Sequence, residues 1–573
     1  MKNKKIFFAA IIIVVAIFGI KYLISMRQIN VVKGSVLMEN NGQWNGIISD
    51  YVNDKIIKVN VDGSLISLGP EDVYMDNSRN MLVSHNALTP LLSCATNLYD
   101  NNKLVVEKGS NSLIFNKGNT IYSVNGKDGE LSLKPELRNN NLYIPLRVVC
   151  QKLSYEYEWN YDTNTVVISN MKPDERIFPY AYDYRNNGKI TTVRNQANLG
   201  TCWAFASLTA LTTTLLPEME YDFSPDHMSR NNGYNLTQEE GGDYTMAMAY
   251  LAAWKGPVLE EEDPYGDGVS PDNLQPSVHV QEMQILESKN YDKIKRAVFL
   301  YGGVQSSLFM NMNDAEGNSS QYYNADTSAY CYIGTQRSNH DVVIVGWDDS
   351  YPASNFSTAP EGDGAFICVN SWGEQFGEGG YFYVSYFDSN IGIYNVAYTV
   401  VQDTDNYDNI YQSDILGWVG QIGYNRENAF FSNVYESDKK ETLEAVGFYA
   451  IGPNTEYEIY YVENFEDEQS FKNKRFLMKG LFANAGYYTV ELSEPIKMLP
   501  GVKCAIVINI KTPNSGRPVA IEYNAGKTGN VATVDDGEGY ISANGKSWER
   551  VEESQKCNIC LKFYTNDVIE GEQ

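Results

Sequence analysis

Cys202 and Gln196 are the first residues whose types and spacing could do chemistry. Cys202 follows a Gly-Thr turn and precedes an apolar run rich in Ala, Leu and Thr, so a helix is predicted to start at or just before it. The positive end of that helix would favour the thiolate, which is the nucleophilic form of the side chain. Gln196 stands shortly before the turn and could direct its side-chain amide at an anion that forms beside the sulfur. The two residues together indicate acyl transfer through a cysteine.

A base and a group that could orient it follow much later in the chain. His340 comes after Asn339 and opens a Val-Val-Ile-Val strand, and Asn370 begins an Asn-Ser-Trp-Gly sequence after a further apolar strand. A thiol nucleophile is commonly activated by an adjacent imidazole, which a third group holds in place. The order cysteine, histidine, asparagine at these separations therefore predicts that the three side chains meet in the folded chain.

Residues 179–400 resemble the papain-like cysteine peptidases in four motifs that occur in the order typical of that family. The motifs are the domain start at 179–185, the lead-in to the nucleophile at 190–196, a glycine pair at 241–242 and the asparagine motif at 370–381. The resemblance implies a domain with a helical half and a β half. It also implies hydrolysis of peptide bonds, with a protein or peptide as the substrate.

The resemblance assigns catalytic roles to four residues. Cys202 would attack a peptide carbonyl as a thiolate paired with the His340 imidazolium, and water would then release the acyl-enzyme. Asn370 would hold the imidazole so that one of its nitrogens faces the sulfur. Gln196 and the backbone N–H of Cys202 would form the oxyanion hole.

Three further residues are implied in substrate binding. Gly241 and Gly242 are similar to the glycine pair with which this family binds the substrate backbone, and Trp372 would cover the contact between histidine and asparagine. Leu199 and Glu239 stand where the family usually has the two cysteines of a disulfide. Since both partners are missing together, we expect the cysteines of this domain to be free thiols and catalysis to be unaffected.

The overall composition restricts the classes of partner. A net charge of −27 argues against nucleic acid or an anionic membrane surface as a partner, and it suits a soluble extracellular surface. The eight cysteines are scattered without a disulfide framework. Cys557 and Cys560 form a close pair, but they lack a second pair or nearby histidines for zinc. We therefore expect neither a metal site nor a cofactor.

A length of 573 residues is too great for one hydrophobic core, and the pattern changes along the chain predict a multidomain α+β protein. The predicted parts are a membrane anchor or signal segment at 1–28, a short β-rich segment at 29–70, a copper-amine-oxidase-N-terminal-like module at 71–170, a papain-like peptidase domain at 171–402, an acidic linker at 403–408 and a lectin-like β-sandwich or jelly roll at 409–573. The linker is acidic enough for calcium but lacks the glycine and the closing glutamate of a calcium loop.

The two flanking modules resemble domain types found on bacterial surface proteins. The first has helical windows near Leu88 and Leu146 and a hairpin pattern at 157–168, and it resembles the copper amine oxidase N-terminal-like domain. It contains one histidine, His85, so we expect a spacer or wall-contacting role instead of metal binding, and it does not resemble the helical segment that inhibits papain-like zymogens. Residues 409–566 alternate in period two and resemble a lectin-like domain, whose name implies a glycan ligand.

The first residues of the sequence predict a link to a membrane. Lysines at positions 2, 4 and 5 precede an apolar run from Ile6 to Ile20, which extends to Met26 if Lys21 snorkels. Small residues at the spacing of a cleavage site are absent, so an uncleaved anchor with an extracellular bulk is the prediction. A cleaved signal peptide, and therefore secretion, is the alternative.

The sequence as a whole predicts an extracytoplasmic cysteine endopeptidase. One alternative is a catalytically inactive adhesin or binding scaffold with a papain-like fold, which the flanking modules would suit. The presence of all four catalytic residue types argues against it. A second alternative is an acyltransferase of the transglutaminase-like class, but that class usually orients its histidine with aspartate, whereas Asn370 stands here.

Overall fold

A computed structural model describes residues 58–568, with gaps at 62–63, 67–72, 76–80, 93, 109–110, 132, 139, 154, 161–164, 171–178, 190, 218, 272, 312–319, 525–530 and 535–536. The predicted anchor or signal segment at 1–28 and most of the β-rich segment at 29–70 lie outside the described residues. Within the described ranges, no helix combines the length and the apolar character that crossing a membrane requires. The chain is a multidomain α+β protein in which three regions follow one another.

The N-terminal module, residues 58–170, is built from short strands and two short helices. Helix α1 spans His85–Leu92 and α2 spans Leu146–Lys152, which confirms the helical windows predicted from the sequence. The strands are β1 Lys58–Val61, β2 Ser64–Ile66, β3 Val73–Met75, β4 Met81–Ser84, β5 Ala95–Tyr99, β6 Lys103–Lys108, β7 Asn111–Asn116, β8 Ile121–Val124, β9 Lys127–Glu130, β10 Glu136–Arg138, β11 Asn141–Pro145, β12 Tyr155–Asn160 and β13 Thr165–Asn170. Strands β12 and β13 form the predicted hairpin, and β5 to β9 form an antiparallel meander. Both helices pack on the buried apolar face of these sheets.

The helical half of the peptidase region is organised around a buried helix. Its helices are α3 Cys202–Leu215, α4 Pro225–Arg230, α5 Tyr244–Ala252 and α6 Tyr291–Leu300. Helix α3 itself consists mainly of apolar and small residues, and it is buried on nearly all sides. This is the pattern of a helix that lies inside a core. Ser224 caps α4 by accepting a hydrogen bond from the backbone N–H of His227, and Pro225 occupies its first turn.

The β half packs against α3. Its strands are β14 Ala181–Asp183, β15 His279–Ile285, β16 Val304–Leu308, β17 Tyr323–Asn324, β18 Ala329–Tyr330, β19 His340–Asp348, β20 Ala365–Val369, β21 Tyr381–Ser385 and β22 Asn395–Gln402. Strand β19 lies between β16 and β20, and its residues are buried on both faces. This burial explains why the sequence there is a continuous apolar run instead of an alternating one.

The described residues of the C-terminal region, 409–567, form strands with one short α-helix, α7 Val551–Ser554, and a 3-10 turn at Ser470–Asn473. The strands are β23 Asn409–Tyr411, β24 Gly420–Ile422, β25 Asn428–Glu436, β26 Glu441–Ala450, β27 Thr455–Val462, β28 Arg475–Phe482, β29 Ala485–Met498, β30 Lys503–Lys511, β31 Val519–Tyr523, β32 Gly539–Ser542, β33 Glu549–Arg550, β34 Cys557–Ile559 and β35 Leu561–Asp567. Strands β28-β27-β30-β25-β32-β33 form one sheet, and a second sheet contains β29, β26, β35 and β23. Apolar residues of both sheets fill the space between them.

One sheet runs through both the peptidase region and the C-terminal region. Strand β15 pairs with β22 on one side and with β29 on the other, for example through Met283 and Tyr487. The acidic residues 403–408 form the turns between β22 and β23. The two regions are therefore joined by strand pairing as well as by the covalent connection, a feature that the sequence pattern does not reveal.

The N-terminal module contacts the peptidase region through polar groups. Tyr99 donates its hydroxyl to a carboxyl oxygen of Glu282 at 2.8 Å. Glu107 and Arg296 form an ion pair of 3.2 Å, and both side chains are 3% exposed. These contacts place β5 and β6 against β15 and α6.

Candidate active site

Cys202 is the first residue of α3, as the sequence predicts. Thr201 precedes it without capping the helix through its side chain, so the first backbone N–H groups of α3 are not taken up by that hydroxyl. The backbone N–H groups of Trp203 and of Asp341 hydrogen-bond the sulfur. Because Asp341 is the residue after His340, this contact brings the start of α3 to the start of β19.

His340 and Asn370 are in direct contact. Their hydrogen bond joins His340 Nε2 and Asn370 Oδ1 at 2.7 Å, and both residues are buried. Trp372 packs on the imidazole with ring centroids 4.9 Å apart. The contact with asparagine uses Nε2, so Nδ1 is the imidazole nitrogen that remains for an exchange of protons with a thiol.

Gln196 is held by the residue after Asn370. Its backbone N–H donates to the Ser371 carbonyl at 2.8 Å, and its Oε1 accepts from Ser371 Oγ at 2.7 Å. Its Nε2 donates to the Leu199 carbonyl at 2.7 Å, which engages one of the two N–H bonds of the amide. The second N–H is the donor that an oxyanion beside the cysteine could use.

The glycine pair lies against the start of α3, where there is no room for a side chain. A Cβ on Gly242 would lie 2.5 Å from the Trp203 ring, and Gly241 has a φ of +80°. The backbone N–H of Gly200 donates to the Gln238 carbonyl at 2.9 Å, which ties the loop before Cys202 to the loop of the glycine pair. Hydrogen bonds thus join the two loops that carry Leu199 and Glu239, the positions at which the family usually has its disulfide.

Burial opposes the separate ionisation of nucleophile and base. It raises the pKa of the Cys202 thiol to about 12, with a smaller contribution from the charge of Asp341, and it lowers the pKa of His340 to about 4. Ionisation of either group alone is therefore unfavourable, whereas transfer of a proton from the sulfur to the imidazole would form both charges together. The expectation that the helix end alone favours a thiolate disregards this burial.

The structure brings all seven predicted residues together and adds others. Cys202, Gln196, Gly241, Gly242, His340, Asn370 and Trp372 are linked through the contacts described above. Tyr265 was not anticipated: its hydroxyl lies 2.6 Å from Thr201 Oγ1 and donates to the Gln196 carbonyl at 2.9 Å. Its position in a loop between α5 and β15 carries no sequence signal, whereas Ser371 is part of a motif and could have been inferred.

The other cysteines of the peptidase region are structural. Cys331 and Cys368 are buried free thiols, and burial raises the pKa of each. In the described part of the chain no group of three or more His, Cys, Asp or Glu side chains is arranged to hold a metal ion.

Three sequence families match successive parts of the chain. Residues 60–168 match the family described as copper amine oxidase N-terminal domain, residues 178–401 match papain family cysteine protease, and residues 410–565 match lectin like domain. The matches confirm the three resemblances inferred from the sequence.

Curated relatives are similar to the peptidase region. Falcipain-3 of Plasmodium falciparum (isolate 3D7) is 27% identical over 46% of this chain and 53% of its own length. Ananain of Ananas comosus is 27% identical over 38% of this chain and 58% of its own length. The chain thus spans little more than half the length of these relatives.

Two solved structures extend the similarity into the C-terminal region. A clostridial cysteine protease, Cwp84, solved as a variant after propeptide cleavage, is 30% identical over 68% of this chain and 99% of its own, with a TM-score of 0.60. The cysteine protease and lectin-like domains of Cwp84, a surface layer associated protein of Clostridium difficile, are 29% identical over 69% of this chain and 90% of their own, with a TM-score of 0.59. This chain therefore belongs to the papain family of cysteine proteases and carries a lectin-like domain after its protease domain.

Proposed function

We propose that this protein is an endopeptidase of the cell surface that cleaves peptide bonds through an acyl-enzyme on Cys202. The observation that carries the proposal is the hydrogen bond of 2.7 Å between His340 Nε2 and Asn370 Oδ1, next to the residue whose backbone contacts the Cys202 sulfur. It leaves Nδ1 of a buried, oriented imidazole for the thiol. If His340 were only a structural residue, there would be no reason for a cysteine to stand at the start of the helix that faces it.

The proposed reaction begins with proton transfer from the Cys202 sulfur to His340. The thiolate attacks the carbonyl carbon, and the oxyanion that forms accepts hydrogen bonds from the free N–H of the Gln196 amide and from the backbone of Cys202. The imidazolium then gives its proton to the leaving amine, and the carbon–nitrogen bond breaks. Water attacks the thioester that remains while the imidazole takes its proton; the carbon–sulfur bond then breaks, the acid product leaves, and the imidazolium returns the proton to the sulfur, which regenerates the thiol.

The surrounding contacts support these roles. Trp372 covers the imidazole and, with the burial of Asn370, keeps water from competing for the His340 hydrogen bond. Ser371 fixes Gln196 through two hydrogen bonds, so that donor is positioned before substrate arrives. Gly241 and Gly242 are proposed to bind the substrate backbone, since a side chain at Gly242 would meet the Trp203 ring and the φ of +80° at Gly241 favours glycine.

A second function, glycan binding, is proposed for the lectin-like region. It is supported by the family matched at residues 410–565 and by the paired strands that join this region to the peptidase region. Because the two regions are joined in this way, binding of the lectin-like region to a glycan of the cell wall would hold the protease near its substrate. An adhesin without catalytic activity is the contrasting hypothesis.

The location is also a proposal. The similar protein Cwp84 is described as surface layer associated, and a net charge of −27 suits an extracellular surface. We propose that the apolar segment within residues 1–28 anchors this chain to the cell membrane. Fractionation of cells that produce the full chain, compared with a chain that starts at residue 29, would test it. An equal distribution of both between membrane and medium would contradict an anchor.

The decisive experiment for the enzymatic function is labelling with an epoxysuccinyl inhibitor of cysteine proteases. The wild-type protein is expected to hydrolyse peptides and to carry the label on Cys202. Cys202→Ala is expected to abolish both without changing the far-ultraviolet circular dichroism. Cys331→Ala is the matched control, because it removes a buried thiol of the same region and should retain the label. Hydrolysis that persists in Cys202→Ala would contradict the proposed mechanism.

A further inference from the structure

A cleft of about 910 Å³, its open mouth included, lies where the three regions of the chain meet. Its lining residues come from α1 and β5 of the N-terminal module, from β15 and β22 of the peptidase region, and from β28 and β29 of the C-terminal region. Sites for small organic ligands have volumes of this order. Cys202, His340 and Asn370 do not line it, so the cleft is separate from the candidate active site.

The cleft has a buried floor and an exposed rim. On β15, Gln281 is 3% and Glu282 is 4% exposed, whereas Lys479 and Ser493 are exposed to solvent. All four residues line the same cleft. A ligand therefore has a path from solvent at the rim to the polar groups of the floor.

Two buried side chains of the cleft carry a polar atom that is not satisfied. Gln281 Nε2 and His85 Nδ1 have no hydrogen-bond partner among the described residues. The other end of the Gln281 amide is fixed, because its Oε1 accepts a hydrogen bond from Thr489 Oγ1 at 2.6 Å. Burial lowers the pKa of His85 to about 4, so its ring is neutral near pH 7. A ligand that bonds to these atoms would relieve the desolvation penalty that each of them carries.

Side-chain amides form much of the remaining polar lining. The lining contains Asn86, Asn97, Asn101, Asn140, Gln281 and Gln402. An amide presents a donor and an acceptor side by side, and a hydroxyl group can likewise donate and accept. A ligand with several neighbouring hydroxyl groups therefore matches this lining better than a ligand that only donates or only accepts.

The charged groups of the cleft favour a neutral ligand. The carboxyl groups of Glu282 and Glu491 line it and disfavour an anion. Glu282 already accepts three hydrogen bonds, one of them from the Tyr99 hydroxyl at 2.8 Å. Burial and then the charge of Asp100 raise the pKa of Glu491 to about 7, so this carboxyl is partly protonated at neutral pH and can donate as well as accept. The pair of carboxyls therefore attracts a cation less than two free carboxylates would.

One wall of the cleft is aromatic. Tyr457, Phe482 and Tyr488 all line it. Phe482 stacks on both tyrosines, with ring centroids 4.5 Å from Tyr457 and 3.8 Å from Tyr488, and all three rings are buried. A buried stack of rings is a rigid apolar surface. A sugar ring has an apolar C–H face that can pack on such a surface while its hydroxyl groups bond to the polar walls.

We propose that this cleft binds a neutral sugar through Gln281, Glu491 and the aromatic wall. An oxygen of the sugar would accept a hydrogen bond from Gln281 Nε2, and a neighbouring hydroxyl would bond to the Glu491 carboxyl. The inference rests on the glycan binding proposed above and assigns it to a place that the lectin-like region forms only together with the other two regions.

This placement links the sugar to the docking of the N-terminal module. His85 and several of the lining amides belong to the module, whereas Gln281 and Glu491 belong to the other two regions. The complete site exists only while the module is docked. A bound sugar should therefore hold the module in its docked position, since a ligand stabilises the form that binds it.

The first test measures the binding of three neutral disaccharides, cellobiose, maltose and N,N′-diacetylchitobiose, to residues 30–573 by calorimetry. At least one of them is expected to bind. Gln281→Met keeps the length of the side chain, removes the donor and should raise Kd by about tenfold or more. Gln412→Met is the matched control. Gln412 hydrogen-bonds Ala253 and Lys562 at another contact between the peptidase and C-terminal regions and does not line the cleft, so Kd should stay within about twofold.

A second measurement on the unaltered protein guards against misfolded variants. At a sugar concentration about a hundred times Kd, hydrogen exchange of the β5 amides should slow by up to about a hundredfold, because the sugar opposes undocking of the module. Binding that Gln281→Met retains, or binding without slower exchange in β5, would overturn this inference and leave glycan binding to another face of the lectin-like region. Absence of binding by all three sugars would overturn the proposed glycan binding as well.

Discussion

The buried ion pair between Glu107 and Arg296 is expected to hold the N-terminal module on the peptidase region. The pair joins β6 to α6 over 3.2 Å, and each side chain is 3% exposed. Glu107→Ala removes the carboxylate and leaves the guanidinium in the interface. Loss of one member of a buried pair costs about 3 to 5 kcal/mol, because the other charge keeps its desolvation penalty. That range corresponds to a shift of roughly a hundredfold to a thousandfold or more toward the undocked module.

Native-state hydrogen exchange of residues 30–573 measures this effect locally. The free energy of opening reported by amides of β6 should fall by about 3 to 5 kcal/mol in Glu107→Ala, while amides of β30 in the C-terminal region should not change. Glu136→Ala is the matched control within the same module. Its pair with Arg138 has both side chains about half exposed, so a loss of at most about 1 kcal/mol is expected. Equal effects of the two substitutions would refute the reasoning.

The same variant tests whether the module covers the catalytic residues. The module's contacts described above involve β15 and α6, and the reacting side chains belong to the start of α3, the start of β19 and the segment after β20. The rate of inhibitor labelling should therefore change less than about twofold between wild type and Glu107→Ala. It should also be similar for residues 30–573 and 175–573. A large increase on either change would show that the module is an inhibitory pro-region.

Three further predictions concern the peptidase region. His340→Ala should reduce kcat/KM nearly as much as loss of the nucleophile does. Asn370→Ala should reduce it less, by roughly tenfold to a hundredfold, since it removes one charge-assisted hydrogen bond from an imidazole that Trp372 still packs against. Equal losses in steady-state kinetics would exclude an orienting role. Gln196→Ala should lower kcat by about a hundredfold or more with little change in KM, because its donor acts mainly in the transition state, and a change confined to KM would contradict this. Thiol counting on the denatured, unreduced peptidase region should find all three of its cysteines reactive, whereas a count of one would reveal a disulfide.

Local sequence signals were sufficient for the elements that carry the reacting groups. The turn and apolar run around Cys202 predicted the start of α3, and the apolar run after His340 predicted β19. Ser224 and Pro225 likewise marked the start of α4. These features follow from hydrogen bonding and steric preference within a few residues, so the sequence around each position contains them.

The continuity of the sheet was not predictable in the same way. Strand β15 pairs with β29, about two hundred residues later in the chain, and nothing in the alternation of either strand specifies its neighbour. Alternation reports which face of a strand is buried, while the partner is decided by how whole regions pack. The acidic residues 403–408 separate two regions of different composition. The sheet nevertheless continues from one region into the other, through the pairing of β15 with β29.

The sequence by itself determined the type of chemistry, because the residue types and their motifs identify a cysteine nucleophile with its helpers. Only the tertiary structure decided the electrostatics of that chemistry. Helix position alone favours a thiolate at Cys202, but burial raises its pKa and lowers that of His340, so their charges must form together. Asp341, which the sequence presents as one acid among 72, lies beside the sulfur because β19 packs against α3. Desolvation and long-range contact depend on packing between distant segments, and local sequence patterns contain no measure of either.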